Sequence, residues 1–261
     1  MPSAIIELNN FNYEIDGKSI LKNLCCTINK GEHLSIIGPN GAGKTTLIKC
    51  IANIFQDGTG AITLKGRPLN TYPQKELAKL ISYVPQAEGA NFPFTVSEFV
   101  LLSRYPHLSP FSSPSKEDFK AVHQALKQTE TAEFEHRKMN TLSGGQKQRV
   151  LIAAALAQQT EIVLLDEPTT FLDPKHQSDI LRLLKAMHEK QDITIITVTH
   201  DINHAATLSN RILALKEGSI AFFGSIKECM TNDILQPIYD KEFLFINHPV
   251  SNLPIVIPET L

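Results

Sequence analysis

A glycine-rich loop near the N-terminus has the spacing of a phosphate-binding site. Residues 38–45 follow the pattern GxxxxGK[ST], in which glycines let backbone N–H groups approach phosphate oxygens. An apolar strand, His33–Ile37, is predicted to run into this loop, and a helix over residues 45–54 is predicted to leave it. The positive end of that helix dipole favours an anion at the same place.

This loop predicts a nucleotide site. Lys44 would reach the β- and γ-phosphates, and the Thr45 hydroxyl would bind Mg²⁺. A chance glycine turn before Lys-Thr is the alternative, and the strand and helix that flank the loop argue against it. The predicted phosphate contacts are Gly38, Pro39, Asn40, Gly41, Ala42, Gly43, Lys44, Thr45 and Thr46.

Acidic and amide side chains follow two other strand-like runs. Residues 161–166 are an apolar run typical of a buried parallel strand. We expect Asp166 to hold the water shell of a metal ion and Glu167 to polarise the water that attacks a γ-phosphate. Solvated carboxylates at a strand end are the alternative. The amide of Gln86, after the run 81–85, could bind the metal or that water, and a plain loop glutamine is equally compatible.

A histidine follows the next apolar run, residues 193–199. His200 would lie at the carboxyl edge of the predicted sheet, where open α/β folds bind ligands, and its imidazole could contact a γ-phosphate. His204 has i,i+4 spacing from it, but Asp201 replaces the glutamate of HExxH. We therefore discount a metal pair and predict an exposed helix residue at position 204.

A second anion-binding pattern is the pentapeptide Leu142-Ser143-Gly144-Gly145-Gln146. Ser143 and Gln146 form a capping box at the start of a predicted long helix, and a helix N-terminus attracts anions. The chain thus has two predicted phosphate-binding surfaces and one metal site. If both surfaces serve one nucleotide, a second subunit must supply one of them.

Composition limits the classes of function. The 261 residues are 42% apolar and 20% charged, with a formal net charge of −2, so no basic field favours a nucleic-acid partner. No apolar run approaches the roughly 18–20 residues of a membrane span, and no signal peptide is recognised, so we expect the chain to fold in the cytoplasm. The four cysteines have no metal-ligand spacing and are predicted to be buried, reduced thiols.

The order of predicted elements indicates an α/β protein with an inserted helical part. Residues 1–86 and 161–230 are predicted to form the core and a β-rich part, residues 87–160 a helical insertion, and residues 231–261 a C-terminal extension. In the insertion, Thr95 with Glu98 is one capping box. Ser115 with Asp118 is predicted to cap a helix over 116–128.

Taken together, these motifs resemble those of the ATP-binding-cassette (ABC) ATPases, and the resemblance runs over nearly the whole chain. Residues 38–45 match the Walker A loop, Leu142 to Gln146 the family signature, and residues 162–167 Walker B with its catalytic glutamate. Gln86, Asp173 and His200 match the Q-loop, the D-loop and the switch histidine. The resemblance implies a P-loop NTPase (RecA-like) core with an antiparallel β subdomain and an inserted helical subdomain.

The resemblance also implies roles for an aromatic residue and for the D-loop. Tyr13 fits the aromatic that stacks on adenine, with a core tyrosine on a strand face as the alternative. Phe171 stands where the family more often has a small or polar residue, which leaves the packing of the dimer interface there open.

What the resemblance implies for function is a homodimeric ATPase that uses ATP and Mg²⁺. Two copies would pack head to tail, with Lys44 and Thr45 of one and Ser143 and Gly145 of the other on each ATP. Glu167 would orient water, and the other catalytic candidates, His200 and Gln86, would sense the γ-phosphate.

Within the family, residues 94–107 look like the importers of ferric siderophores, haem and cobalamin, and Val256-Ile257-Pro258 is similar to their C-terminal ends. This likeness implies a peripheral subunit on the cytoplasmic face of the membrane. Its partners would be transmembrane permease subunits and, indirectly, a substrate-binding protein. Residues 87–115 would transmit the movement to the permease.

Two other functions remain open from the sequence. One is a non-transport ABC ATPase, such as an iron–sulfur assembly factor or a translation factor. The other is a nucleotide-dependent binding module with negligible turnover, against which Glu167 argues.

Overall fold

The computed structural model describes residues 3–86, 92–109, 112–191, 193–249 and 254–258. The chain divides into two compact units, Met1–Thr71 with Thr194–Leu261, and Tyr72–Ile193. The predicted domain division uses other boundaries, and its boundary residue 87 lies outside the described residues. That division stays a prediction.

Strands and helices are numbered in chain order. The strands are β1 (Ala4–Ile15), β2 (Lys18–Asn29), β3 (His33–Ile37), β4 (Thr59–Leu64), β5 (Arg67–Pro68), β6 (Ile81–Val84), β7 (Ile162–Asp166), β8 (Thr194–Val198), β9 (Arg211–Lys216), β10 (Ser219–Ser225), β11 (Phe243–Asn247) and β12 (Pro254–Pro258). The helices are α1 (Lys44–Ile51), α2 (Gln74–Leu77), α3 (Val96–Leu102), α4 (Lys116–Gln128), α5 (Gly144–Ala157), α6 (Pro174–Gln191), α7 (Ile202–Leu208), α8 (Ile226–Cys229) and α9 (Asn232–Tyr239).

The first unit contains an antiparallel sheet and a mostly parallel one. The antiparallel sheet has the order β2-β1-β4-β5. In the other sheet, β3 lies parallel to β8 on one side and to β9 on the other, and β10 pairs antiparallel with β9. Every residue of β3 and β8 is buried, as expected for apolar strands covered on both faces. These two central strands position the glycine-rich loop and His200.

Two elements of this unit differ in length from their predictions. Helix α1 ends at Ile51 rather than at residue 54, because Asn53 takes the left-handed conformation (φ 57°) that terminates helices. Strand β1 continues past the predicted residues 4–8 to Ile15. It does so through register shifts that include the left-handed Asn10, so its alternating pattern is interrupted in the sequence.

The second unit pairs β6 and β7 in parallel and packs α5 against α3 and α4. The capping boxes predicted at Thr95, Ser115 and Ser143 are all present, and α4 spans the predicted residues. Each box satisfies backbone N–H groups of the first helical turn, which an uncapped end would leave without partners.

A buried ion pair holds the ends of these helices together. Arg104 Nε donates to Asp118 Oδ1 at 2.9 Å, and Arg104 Nη1 donates to the Ala157 carbonyl at 2.7 Å and to Gln159 Oε1 at 2.8 Å. Hydrogen bonds from Ser115, followed by those from Arg104, lower the pKa of Asp118 to about 2. Arg104 thereby joins the end of α3 to the start of α4 and the end of α5.

The structure tests two predictions that were made from composition, on the cysteines and on membrane-spanning segments. Burial raises the pKa of Cys26, Cys50 and Cys229 to about 12, as expected for inert thiols. The prediction of a buried thiol is wrong for Cys25, which is exposed because neighbouring residues of β2 point to opposite faces. Among the described residues, no helix has the length and hydrophobicity needed to cross a membrane.

Candidate functional site

The glycine-rich loop connects the end of β3 to the start of α1, as predicted. At Gly38 (φ 143°), a Cβ atom would lie 2.2 Å from the carbonyl oxygen of Leu215, so a larger residue cannot enter there. Gly43, the N-cap of α1, takes φ 99°, a conformation that L-residues with side chains rarely adopt. The tight curvature of the loop therefore requires glycine at both of its ends.

Lys44 folds back over this loop. Its Nζ donates to the carbonyl oxygens of Gly38 at 2.9 Å and Pro39 at 3.0 Å, and the side chain is buried. Thr45 is exposed in the first turn of α1, and Thr46 is half-buried beside it. An ammonium group and an exposed hydroxyl at the start of one helix are suited to bind phosphate oxygens and a hard cation.

His200 lies at the same sheet edge as the loop, within the first unit. The parallel neighbours β3 and β8 both end there, and the Thr199 amide donates to the Ile36 carbonyl at 3.1 Å. His200 itself is exposed. Its chain then turns into α7, whose N-cap Asp201 accepts from the His204 amide at 3.0 Å.

His204 differs from its prediction. It lies on α7 as expected, but its side chain is only 20% exposed, and its Nδ1 is 3.5 Å from Asp201 Oδ2. The side chain is half-buried because it turns back toward the N-cap carboxylate rather than into solvent. Among the described residues, no group of three or more His, Cys, Asp and Glu side chains is placed to hold a metal ion.

The second unit brings together three of the predicted residues. Strands β6 and β7 lie parallel with Val84 opposite Leu165, so the residues after them meet at one sheet edge. Gln86 Nε2 donates to Glu167 Oε2 at 3.4 Å. Asp166 is buried at the end of β7. An amide, a metal-binding type of carboxylate and a candidate general base thus share one edge.

Two residues that sequence reasoning missed contact these carboxylates. Tyr83 donates its hydroxyl to Asp166 Oδ2 at 3.2 Å, and Thr170 donates its hydroxyl to Glu167 Oε2 at 2.8 Å. Burial first, and then the Asp166 charge, raise the pKa of Tyr83, so it stays a donor. The position of Tyr83 on the strand before Gln86 is the sequence signal that could have identified it.

The signature pentapeptide forms the start of α5. Gln146 N–H donates to Ser143 Oγ at 3.3 Å, and Ser143 N–H donates to Gln146 Oε1 at 3.0 Å. Ser143 and Gly144 are exposed, whereas Gly145 is buried. The Ser143 hydroxyl accepts in the cap, so its proton is directed elsewhere.

The D-loop residue Asp173 is connected to this pentapeptide through His176. Asp173 accepts from the His176 backbone N–H at 3.0 Å, and its Oδ2 lies 2.6 Å from His176 Nδ1. These contacts lower the pKa of Asp173, the backbone hydrogen bond most. A Cβ atom on Gly145 would lie 2.6 Å from the His176 ring. His176 was not predicted, since nothing in its spacing from Asp173 points to Gly145.

Phe171 and Tyr13 are the two aromatic residues singled out by the resemblance. Phe171 is 79% exposed and has a left-handed backbone (φ 62°). Tyr13 lies on β1, 9% exposed, with its ring stacked on Phe55 at a centroid distance of 5.4 Å. One face of Tyr13 is therefore covered, and its stacking on adenine stays a prediction.

Comparison with known proteins agrees with this arrangement. The sequence family described as ABC transporter matches residues 21–170. The chain is 41% identical to the iron(3+)-hydroxamate import ATP-binding protein FhuC of Bacillus subtilis (strain 168), over 91% of this chain and 88% of that protein.

Two solved structures have the same fold. A putative metal-chelate type ABC transporter, in an inward-facing conformation, matches with a TM-score of 0.85 and 27% identity over 99% of this chain and 98% of that chain. A dimeric bacterial ABC transporter cassette matches with a TM-score of 0.74 and 34% identity over 85% of this chain and 99% of that chain.

These matches confirm the predicted fold class, a P-loop NTPase with an antiparallel β subdomain and a helical subdomain. They also confirm the resemblance inferred from the motifs, since both the family match and the relative extend through the Walker A loop, the signature and Walker B. The chain belongs to the ABC transporter family, as one of its ATPase subunits.

Proposed function

We propose that this chain binds and hydrolyses ATP to power an importer of a ferric siderophore or a related metal chelate, such as haem or cobalamin. The similar proteins, the ATP-binding protein of an iron(3+)-hydroxamate importer and a putative metal-chelate type transporter, support this class of cargo over an iron–sulfur assembly factor. The observation that best supports hydrolysis is the position of Glu167, which follows β7 and accepts hydrogen bonds from Gln86 and Thr170.

The residues divide the chemistry between binding and water activation. The loop from Gly38 to Gly43 and the Lys44 ammonium bind the phosphates, and neutralise part of their charge. By the family resemblance, Thr45 of the first unit and Asp166 of the second are the residues that would contribute oxygen ligands to Mg²⁺, which favours few protein ligands together with phosphate oxygens. When bound, that ion would neutralise charge on the β- and γ-phosphates. Glu167 accepts a proton from the attacking water, and Gln86 orients the Glu167 carboxylate.

A second copy of the chain completes the site in this proposal. The exposed Ser143 and Gly144 present a hydroxyl and a helix N-terminus that a γ-phosphate bound to the other copy can use. The similar cassette that is dimeric supports this arrangement. The exposed Phe171 would then lie at or near the interface between the two copies.

The permease partner would contact the end of α3. Leu102 is 55% exposed and Tyr105 is 70% exposed, which places large apolar side chains on either side of the buried Arg104. The ion pair of Arg104 with Asp118 fixes this turn on the helical part, so a push on Tyr105 would move α4 and α5. Residues 87–91, 110 and 111 of the predicted transmitting region lie outside the described residues. By the family resemblance, the subunit would sit on the cytoplasmic face of the membrane.

Phosphate release from the purified full-length chain with ATP and Mg²⁺ tests the activity. We expect Glu167→Gln to lower the hydrolysis rate by about 10²-fold or more while ATP still binds. Glu189→Gln, an exposed change of the same type on α6, is the matched control and should hydrolyse at the normal rate. Normal hydrolysis by Glu167→Gln would remove that residue from its role.

Uptake of iron tests the cargo. Cells of the source organism that lack this gene should fail to take up radioactive iron supplied as a hydroxamate complex, and the normal gene should restore uptake. Unchanged uptake of ferric hydroxamate, haem and cobalamin in those cells would contradict the proposed cargo class.

A further inference from the structure

The C-terminal segment, which here means α8, α9, β11 and β12, packs against the strand before the phosphate loop and the helix after the switch histidine. Helices α8 and α9 and strands β11 and β12 share one buried cluster with β3 and α7. Ile37, the last residue before the phosphate loop, and Ala205, on the helix that follows His200, both belong to it. Leu235 of α9 and Val256 of β12 are buried in the same cluster.

A pair of hydrogen bonds joins α7 to the last strand. Asn203 Nδ2 donates to the Val256 carbonyl at 3.0 Å, and the Val256 N–H donates to Asn203 Oδ1 at 2.8 Å. Val256 pairs with Phe245 of β11. In an antiparallel ladder, alternate residues direct both backbone groups away from the partner strand, and at Val256 those groups meet Asn203. The amide of Asn203 therefore takes the place of a neighbouring strand.

Helix α9 packs in the same cluster as the end of β3, before the phosphate loop, and α7, after the switch histidine. The Tyr239 hydroxyl is buried and makes no hydrogen bond of good geometry with any described residue, and its ring packs edge-on against Phe243 at 5.8 Å. Burial raises the pKa of Tyr239, the backbone N–H of Gly38 opposes that rise, and the Asp201 charge adds to it. Leu235 and Ile238 of α9 lie in the same buried cluster as Ile37 and Ala205.

We infer that the C-terminal segment positions the switch histidine for hydrolysis, and that Asn203 is the positioning residue that couples it to α7. Asn203 lies three residues after His200 on a helix of only seven residues, Ile202–Leu208. A short helix is held by its packing rather than by its own stability. Releasing Val256 from Asn203 therefore lets α7 and the turn before it shift. The inference rests on the proposed ATPase activity.

Steady-state hydrolysis by the full-length chain tests this coupling. Asn203→Ala removes the side-chain partner, and Val256→Pro removes the backbone N–H from the other side without removing a ladder hydrogen bond. We expect each change to lower kcat by about threefold to tenfold and to leave the KM for ATP within about twofold, because the phosphate loop still binds the nucleotide. The double variant should be no slower than Asn203→Ala alone, since the hydrogen bond that Val256→Pro removes is one of the two that Asn203→Ala removes.

Thr207→Ala is the matched control on the same helix. Thr207 Oγ1 donates to the Asn203 carbonyl within α7 at 2.8 Å, so this change alters the helix without removing a bond to β12. It should keep the normal kcat. Thermal unfolding of each variant shows whether it is folded at the assay temperature. If Asn203→Ala is unfolded there, Val256→Pro alone serves as the test variant.

Three results would overturn the inference. They are an unchanged kcat in Asn203→Ala and Val256→Pro, losses that multiply in the double variant, and an equal loss in Thr207→Ala. A normal chain that releases no phosphate would instead overturn the proposed function and the inference with it.

Discussion

The two anion-binding loops differ in what satisfies the helix N-terminus behind each. Helix α1 begins after Gly43, and no described side chain caps it. Helix α5 begins after Ser143, and Ser143 and Gln146 cap each other reciprocally. The four N–H groups of a first helical turn need partners, so the phosphate loop gains more from a bound anion than the signature does.

With two unlike helix N-termini, one chain could bind a nucleotide at the first and close on a second copy through the other. The phosphate loop, with its uncapped helix and Lys44, is suited to take up a nucleotide alone. In the signature helix one N–H group of the first turn, that of Gln146, is already satisfied by Ser143, and what the helix offers a phosphate is the Ser143 hydroxyl proton, its remaining first-turn N–H groups and its dipole. We therefore expect a phosphate to bind the signature more weakly than the phosphate loop, which would suit the proposed dimer if it opens after hydrolysis.

Removal of the Lys44 ammonium group should have the largest effect on the difference between the two loops. Lys44→Ala should weaken ATP binding by about tenfold to hundredfold, because hydrogen bonds to charged groups contribute about 1.5–3 kcal/mol. Lys49→Ala, in the last turn of the same helix, should bind normally. Titration with a fluorescent ATP analogue measures both. Equal binding by the two variants would show that the uncapped loop binds without the lysine.

The packing of the His176 ring against Gly145 of the signature should have a smaller effect, which is on the free energy of unfolding. Gly145→Ala should lower the free energy of unfolding by about 1–3 kcal/mol, because its methyl group would overlap the His176 ring. Gly144→Ala is the matched control, since the nearest atom to its Cβ is 3.9 Å away. Adding His176→Ala to Gly145→Ala should restore part of the loss in urea unfolding. No recovery would mean that His176 does not fill the space behind the signature.

The capping box of α4, in which Ser115 is the N-cap and Asp118 the N3 residue, tests whether a box with a charged member behaves like the uncharged one at Ser143. Asp118 caps α4 with a carboxylate whose pKa is lowered from 3.8 to about 2. Its contribution to stability is therefore complete above about pH 4 and is lost as the pH falls toward 2. Asp118→Asn should flatten the acid limb of stability against pH in circular dichroism. The exposed neighbour variant Glu117→Gln should keep that limb, and an equal change in both would contradict the assignment.

Local signals in the sequence were sufficient for parts of the fold and site. Strand β3 and helix α4 have the predicted bounds, because a buried apolar run and a Ser115–Asp118 cap are read from neighbouring residues. The phosphate loop follows β3 for the same reason. The contact of Gln86 with Glu167 was not predicted, although both residues were predicted to follow strand-like runs.

Contacts between distant segments were not predictable in this way. The contacts of Thr170 with Glu167 and of His176 with Asp173 depend on the conformation of the turns that contain these residues. Asn203 contacts Val256, which lies 53 positions further along the chain. The C-terminal hairpin depends on such pairings, as Asn232 also bonds both backbone groups of Phe243. A pattern within a short window carries no information on these partners.

The most direct test of the central claim, that two copies share each nucleotide, is the mass of Glu167→Gln in solution. Light scattering with ATP and Mg²⁺ should give the mass of a dimer, and without nucleotide that of a monomer. Adding Ser143→Arg, which places a bulky side chain at the proposed contact, should keep the ATP-bound protein monomeric. A monomer of Glu167→Gln with ATP bound, or a dimer unaffected by Ser143→Arg, would contradict the account.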